Sequence, residues 1–298
     1  MVFYFVLTQK DSKIIRLIFF KIPTLFLNQK TLMRTFTFFI LLVICNGIFA
    51  QLELPRYDAD DTIIRHRGYT LSYNSEYKQA NWVAYLLTKD ETVKRFQRGE
   101  FFAPDPLIPG TDFSIDYQKS GYDRGHLAPA ADMGYSMETM VQSFFFSNIS
   151  PQVPRFNRGV WKKLEMQVRN WAVEFDSLYI VTGPIFSESM KFIGPHRVAV
   201  PKAYYKVILD NHRGKEKMIG FILNNDGDLN SFQSFVVSID SVEMITGIDF
   251  FSNLEDVLES KMEKMICNEC WGLTILKNSI SKIRTKRTFF KRIDLLFE

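Results

Sequence analysis

Four consecutive residues, Asp123-Arg124-Gly125-His126, set an acid, a permanent cation and a histidine side by side. Imidazole is the side chain that exchanges a proton near neutral pH. A neighbouring guanidinium disfavours the imidazolium and so keeps the ring neutral and able to accept a proton. The same guanidinium is a planar fork of donors that matches phosphate oxygens. A neutral base beside a phosphate clamp is half of what water needs to hydrolyse a phosphodiester. The other half is a divalent cation, which offsets the charge on the phosphate and on the leaving oxygen. By itself the tetrapeptide fits a polar turn equally well, with Gly125 breaking it and Pro129 ending it.

Side chains that could hold the cation lie downstream: Asn148, Asn157 and Glu165 all carry oxygen. Oxygen ligands with retained water suit Mg²⁺. Asn157 and Glu165 are eight residues apart. On one continuous helix their directions would differ by about 80° and their heights by about 12 Å, close enough to share a hydrated ion. On spacing alone, a helix cap and a solvent-facing carboxylate explain the pair more simply.

The elements that must carry these residues are legible in outline. "NRGVWKKLEMQVRNWAVEF", residues 157–175, is the clearest helix, with Trp161, Leu164, Val168, Trp171 and Phe175 at three- and four-residue steps. Residues 143–152, "SFFFSNISPQ", read as a buried strand entering a loop. Residues 69–88 hold one or two strands, and 177–186, 203–210 and 217–225 are β-rich, with "NHRGKE" as a hairpin turn. Residues 238–247 read as a short helix with a Ser or Asp cap and a Gly stop, and 254–266 as another. Residues 51–68 are an irregular lead-in, and 89–113 a long loop. Strands and helices without regular alternation favour an α+β fold.

Composition sets the limits. The chain has 298 residues, 46% hydrophobic and 15% aromatic, which is globular. Residues 33–51, "MRTFTFFILLVICNGIFAQ", have the layout of a secretory signal peptide, with cleavage after Ala50. That predicts a secreted or periplasmic protein, translation starting at Met33 and residues 1–32 as an upstream extension. The formal charge of +4 comes from the two ends, since residues 51–276 hold 24 basic against 30 acidic residues. Net charge therefore gives no argument for nucleic-acid binding, and any polyanion site must be a local patch. Of three cysteines, Cys45 lies in the signal-like segment, while Cys267 and Cys270 offer too few ligands for zinc and predict a local disulfide. The basic tail after Trp271 has no visible partner. His66, His196 and His212 have no partners at ligand spacing and read as structural or exposed. "NNDGDLN", 224–230, lacks the glutamate of a calcium loop.

Taken together, "YDRGHLAPAADM" and "SNISPQVPRFNRGVWKKLE" resemble the DNA/RNA non-specific endonucleases, a family of ββα-metal nucleases that includes mitochondrial endonuclease G. The likeness continues through "YIVTGPIF", "VPKAYYKVIL" and "VEMITGIDFF" and spans roughly 65–260. It implies a central, mostly antiparallel sheet flanked by helices in one domain, 51–270, with 1–50 before it and a tail, 271–298, after it. It implies His126 as the general base and Asn157 as the direct Mg²⁺ ligand, with Mn²⁺ as a substitute. Glu165 would orient the hydrated metal, Arg124 would sit near the phosphate, and Asn148 would support the metal region. Arg98 would stabilise the pentacoordinate phosphorus, with Arg95 as the fallback, and Asp123 would scaffold the loop. The partners implied are DNA and RNA, single- and double-stranded, cut to 5′-phosphorylated oligonucleotides. A homodimer or a protein inhibitor is compatible with the sequence but not specified by it. The rival readings are a noncatalytic nucleic-acid-binding protein on the same fold and a zinc or redox module built on "CNEC".

Overall fold

The computed structural model describes residues 51–99, 101–227 and 230–273. The chain divides into two compact units between Ala50 and Gln51, and the second holds every described residue. The signal-peptide segment, the Met33 start and the tail beyond Leu273 lie outside the described residues.

The strands are β1 (Thr62–Arg65), β2 (Thr70–Asn74), β3 (Gln79–Thr88), β4 (Asp123–His126), β5 (Ile149–Gln152), β6 (Ser177–Ile185), β7 (Lys191–Ile193), β8 (Val198–Val200), β9 (Ala203–Asp210), β10 (Lys217–Asn224) and β11 (Val236–Val237). The longer helices are α1 (Met137–Ser143), α2 (Lys162–Glu174), α3 (Ile239–Thr246) and α4 (Asp256–Glu263). Seven strands form one antiparallel sheet in the order β1-β2-β3-β6-β9-β10-β11. β4–β5 and β7–β8 are separate two-stranded ribbons.

Strand β9 shows how the sheet divides the core. All eight of its residues are buried. Tyr204 and Ile208 face the layer built on α2, and Tyr205, Val207 and Leu209 face the layer built on α3 and α4. This is the two-residue alternation of a strand covered on both sides. The stripe read from α2 holds: Trp161, Leu164, Val168 and Trp171 are buried against the sheet, and Phe175 is partly buried. Ser238 caps α3 by accepting from the Ser241 N–H, and Gly247 closes it at φ 69°, a left-handed position that glycine adopts without strain.

Four expectations change. β1 and α1 went unread in the sequence. Only Ile149–Gln152 of the 143–152 run is strand, because Phe144 caps α1 and Phe146–Asn148 is a 3₁₀ turn. The helix expected from residue 157 becomes regular only at Lys162; Asn157–Trp161 is a wider π-type turn, with Gly159 at φ −103°, ψ −109°. Trp271 and Leu273, read as the start of the tail, are buried. The Trp271 ring packs edge-on to Trp171, 4.8 Å between centroids, and its carbonyl accepts from the Trp171 indole N–H at 2.9 Å. Cys267 and Cys270 are joined as a disulfide just before it.

Candidate active site

β4 and β5 pair antiparallel, with Asp123 opposite Gln152 and His126 opposite Ile149, and the chain then runs through Asn157 into α2. The tetrapeptide is therefore a strand and not a turn. Gly125 has a packing reason: a Cβ there would lie 2.2–2.4 Å from the Gln152 side chain. The amide of Gln152 is buried and has no partner among the described residues.

His126 is 8% exposed. Its ring stands edge-on to Phe144 at 4.8 Å and lies 5.6 Å from Phe102. Burial, with the Arg98 charge adding to it, lowers the imidazole from 6.5 to about 3. The ring is thus neutral, as the sequence reading required, but through its apolar surroundings and Arg98, where Arg124 had been expected to act. Nε2 is enclosed and has no hydrogen-bond partner among the described residues.

Arg124 donates from Nη2 to the Ser114 carbonyl at 3.2 Å and stacks over Phe102 and Tyr117, 5.1 and 5.7 Å from their centroids. Its Nε is buried without a partner among the described residues. Arg98 is exposed, with its guanidinium 5.7 Å from the Phe144 centroid. Both arginines line an open cleft of about 560 Å³ together with Phe102, Tyr117, Tyr122 and Asn157. Arg95 is not in its lining, and its backbone N–H bonds to Gly134.

Asn157 Nδ2 donates to Asp123 Oδ2 at 2.8 Å. That bond leaves Oδ1 as the end of the amide with lone pairs to offer. Asp123 is itself gripped by Arg158, whose Nε and Nη2 donate to its two oxygens at 2.8 and 2.6 Å. Asp123 is therefore more than a loop scaffold, because it sets the rotation of the Asn157 amide. The π-type turn means that the ideal-helix angle between Asn157 and Glu165 does not apply.

Glu165 sits in the first turn of α2, half-buried. Burial pushes its carboxyl up; the Lys206 ammonium opposes this, Asp132 reinforces it, and Arg169 and Arg98 oppose it. Lys206 is fully enclosed on β9, with Nζ 5.0 Å from the Trp161 ring centroid and no hydrogen-bond partner among the described residues. Asp132 joins Arg169 at 2.6 Å and accepts from the Tyr85 hydroxyl at 2.8 Å. Sequence reading missed this support. Arg169 was findable as the residue four after Glu165 on one helix face, and Lys206 as the lone charge inside "AYYKVIL".

Asn148 braces backbone beside His126. Its Oδ1 accepts from the Ala128 N–H at 2.8 Å, and its Nδ2 donates to the Ala128 and Ser143 carbonyls at 3.0 and 2.8 Å. Both ends of the amide are engaged by backbone, so Asn148 pins the chain just after His126.

The amide oxygen held at Asn157 and an open cleft with room for water suit a hard divalent ion, whereas Glu165 and His126 are not in that cleft's lining and Glu165 faces the charges of Lys206, Asp132, Arg169 and Arg98. No thiol or imidazole is in that cleft's lining, so a softer metal is not favoured.

The sequence matches the family described as DNA/RNA non-specific endonuclease over residues 49–257. The chain belongs to that family. It is 32% identical over 222 residues to a nuclease of Nostoc sp., covering 70% of this chain and 80% of the relative. It is 34% identical to the mitochondrial endonuclease G of Caenorhabditis elegans, covering 69% and 73%. It spans only 57% of the human mitochondrial nuclease EXOG, at 32% identity over 64% of this chain. Among solved structures, EndoG in complex with EndoGI matches with a TM-score of 0.62 and 31% identity, covering 67% of this chain and 89% of that one. The central antiparallel sheet and the β4–β5–α2 unit are the ββα-metal nuclease architecture of this family. Family membership makes the chain an endonuclease.

The secreted or periplasmic expectation is corrected by these relatives. Those from human, worm, zebrafish and fission yeast are mitochondrial nucleases, and the segment that carried the signal-peptide reading is not among the described residues. A basic start and an apolar run are features that more than one targeting class shares, so composition did not separate them.

Proposed function

We propose that this endonuclease hydrolyses phosphodiester bonds in both DNA and RNA, single- and double-stranded, to 5′-phosphorylated oligonucleotides. One observation carries the reading: a neutral, enclosed imidazole, its Nε2 without a partner among the described residues, packs on Phe102 in the wall of a cleft also lined by Arg98, Arg124 and Asn157. His126 takes the proton from the attacking water. Arg124 and Arg98 hold the phosphate oxygens, with Arg124 already braced on Phe102 and Tyr117. Asp123 fixes the Asn157 amide, and Asn157 with Glu165 would hold a hydrated Mg²⁺, or Mn²⁺ in its place. When bound, the ion offsets charge on the phosphate and on the leaving 3′-oxygen. Every contact assigned here goes to phosphate, which carries no base code, so cleavage without sequence preference follows. The catalytic unit begins near Gln51 and includes Trp271 and Leu273, which are buried in it. A protein inhibitor acting at this cleft is proposed by likeness to EndoG, whose structure was solved with EndoGI.

The test is digestion of plasmid DNA and of RNA with Mg²⁺, with EDTA, and by the His126→Ala variant. Both substrates should be cut with Mg²⁺. EDTA should abolish cutting, and His126→Ala should lower the rate about 10²–10⁴-fold. Cutting that survives both EDTA and His126→Ala refutes the assignment.

A further inference from the structure

The cleft that holds Arg124 and Asn157 does not end at Tyr122. Tyr122 is also part of the lining of a second concavity of about 390 Å³, where Ser187, Ser189, Lys191 and Lys202 gather. Neither lysine forms an ion pair with a carboxylate among the described residues. The lining has one carboxylate, Asp226, against the two ammonium groups.

The two concavities share one rigid wall. Phe113, Tyr117 and Phe146 pack in a single apolar cluster with Ile193 of β7 and Val198 and Val200 of β8, and Tyr122 lies against it. At the tip of the β7–β8 hairpin, His196 donates its backbone N–H to the buried Asp116 carboxylate at 2.8 Å, and its Nδ1 is 2.8 Å from the other oxygen. Gly194 is required there, since a Cβ would fall 2.2 Å from Asp116. The floor is tied down as well. Asn225 accepts from the Val153 N–H at 2.8 Å and donates to the Pro151 and Pro201 carbonyls, both at 3.0 Å. A site held this way needs little ordering when a ligand arrives.

We propose that the second concavity is a subsite for the nucleic-acid strand that flanks the scissile phosphate, with Lys191 and Lys202 receiving a neighbouring phosphate and Tyr122 offering its ring to the base or sugar between. The proposal rests on the nuclease reading above and names where that substrate continues. An aromatic face between two cationic stations is the arrangement that takes single strands without regard to sequence. The subsite therefore lengthens the preferred substrate without making it selective.

The experiment compares wild type with the Lys191→Gln/Lys202→Gln variant on a single-stranded DNA of about twenty nucleotides and on a dinucleotide with one phosphodiester. The variant should lose about 5–20-fold in kcat/KM on the long strand, through KM. Its log–log salt dependence there should flatten by about 0.7 for each phosphate contact removed. On the dinucleotide it should match wild type, which also shows that the variant is folded and active. No change on the long strand, or an equal loss on both substrates, overturns the subsite. Wild type that cuts neither substrate overturns the nuclease reading beneath it.

Discussion

Replacing His126 with glutamine should make the fold less sensitive to acid. The folded ring sits at about 3 against an ordinary 6.5, because burial between Phe102 and Phe144 penalises the charged form and Arg98 adds to the penalty. The unfolded chain therefore binds a proton in this range that the folded chain refuses. Stability from this group is full above about pH 6.5 and falls as pH drops towards about 3. At about 1.4 kcal/mol per pH step, the loss from about pH 7.5 to about pH 5 is roughly 2 kcal/mol. For a unit of this size that is about 4–8 °C in Tm. Wild type and His126→Gln are melted at both pH values in EDTA. Every other titration and the packing lost on substitution cancel in the difference of differences. The Tm drop between the two pH values should be several degrees smaller in the variant. Equal drops would falsify the claim that apolar burial holds His126 neutral, and so would a proton NMR transition of His126 near pH 6.5 in the folded protein.

Three further outcomes follow from named contacts. Asp123→Ala removes the acceptor that grips both Asn157 and Arg158; the Mg²⁺ concentration for half-maximal rate should rise about 10–100-fold, the usual cost of losing a support to a metal ligand, and an unchanged Mg²⁺ titration refutes it. Trp271→Ala deletes a buried ring packed on Trp171 of the helix that bears Glu165; urea denaturation should show a loss of about 3–5 kcal/mol, whereas a change under about 1 kcal/mol would return Trp271 to the tail. Glu263 is pushed up to about 8 by burial and by the carboxylates of Glu243, Glu259, Asp240 and Asp249; its protonated form is the one the fold prefers, so its stabilising share is full below about 4.5 and lost as pH rises through about 8, and Glu263→Gln should gain in Tm over wild type at about pH 9 relative to about pH 5, a gain whose absence counts against the cluster.

The sheet was legible because its strands keep one pattern over long runs. β6, β9 and β10 came out within a residue or two of their bounds, and α2 showed its stripe from Trp161 to Phe175. What was missed is short or irregular. α1 is seven residues long and leads into an aromatic run whose composition reads as strand, and β1 is a four-residue edge with no buried residue. The lead-in to α2 was misjudged because Gly159 allows a backbone that no periodicity announces. Trp271 was assigned to the tail because its partners, Trp171 and the Met218 carbonyl, lie 100 and 53 residues away.

The site was legible as residue types and less so as causes. Arg124 and Asn157 line one cleft and His126 packs on Phe102 of its wall, because a strand and the turn before a helix are local structures that a motif can encode. The neutrality of His126 was deduced from its sequence neighbour, yet it comes from Phe102, Phe144 and Arg98, which only the folded chain brings near. Asn148 carries oxygen and so was a candidate ligand by type, and the fold engages its amide with three backbone groups that hold the chain after His126. Asp123 moved the other way, from scaffold to the group that turns Asn157. A motif thus names candidate atoms for the chemistry, while the surroundings that set protonation and rotation come from residues 18 or more positions distant. Lys206 makes the point most sharply: it stands 41 residues after Glu165, is enclosed beside Trp161, and bears on the Glu165 carboxylate without touching the cleft.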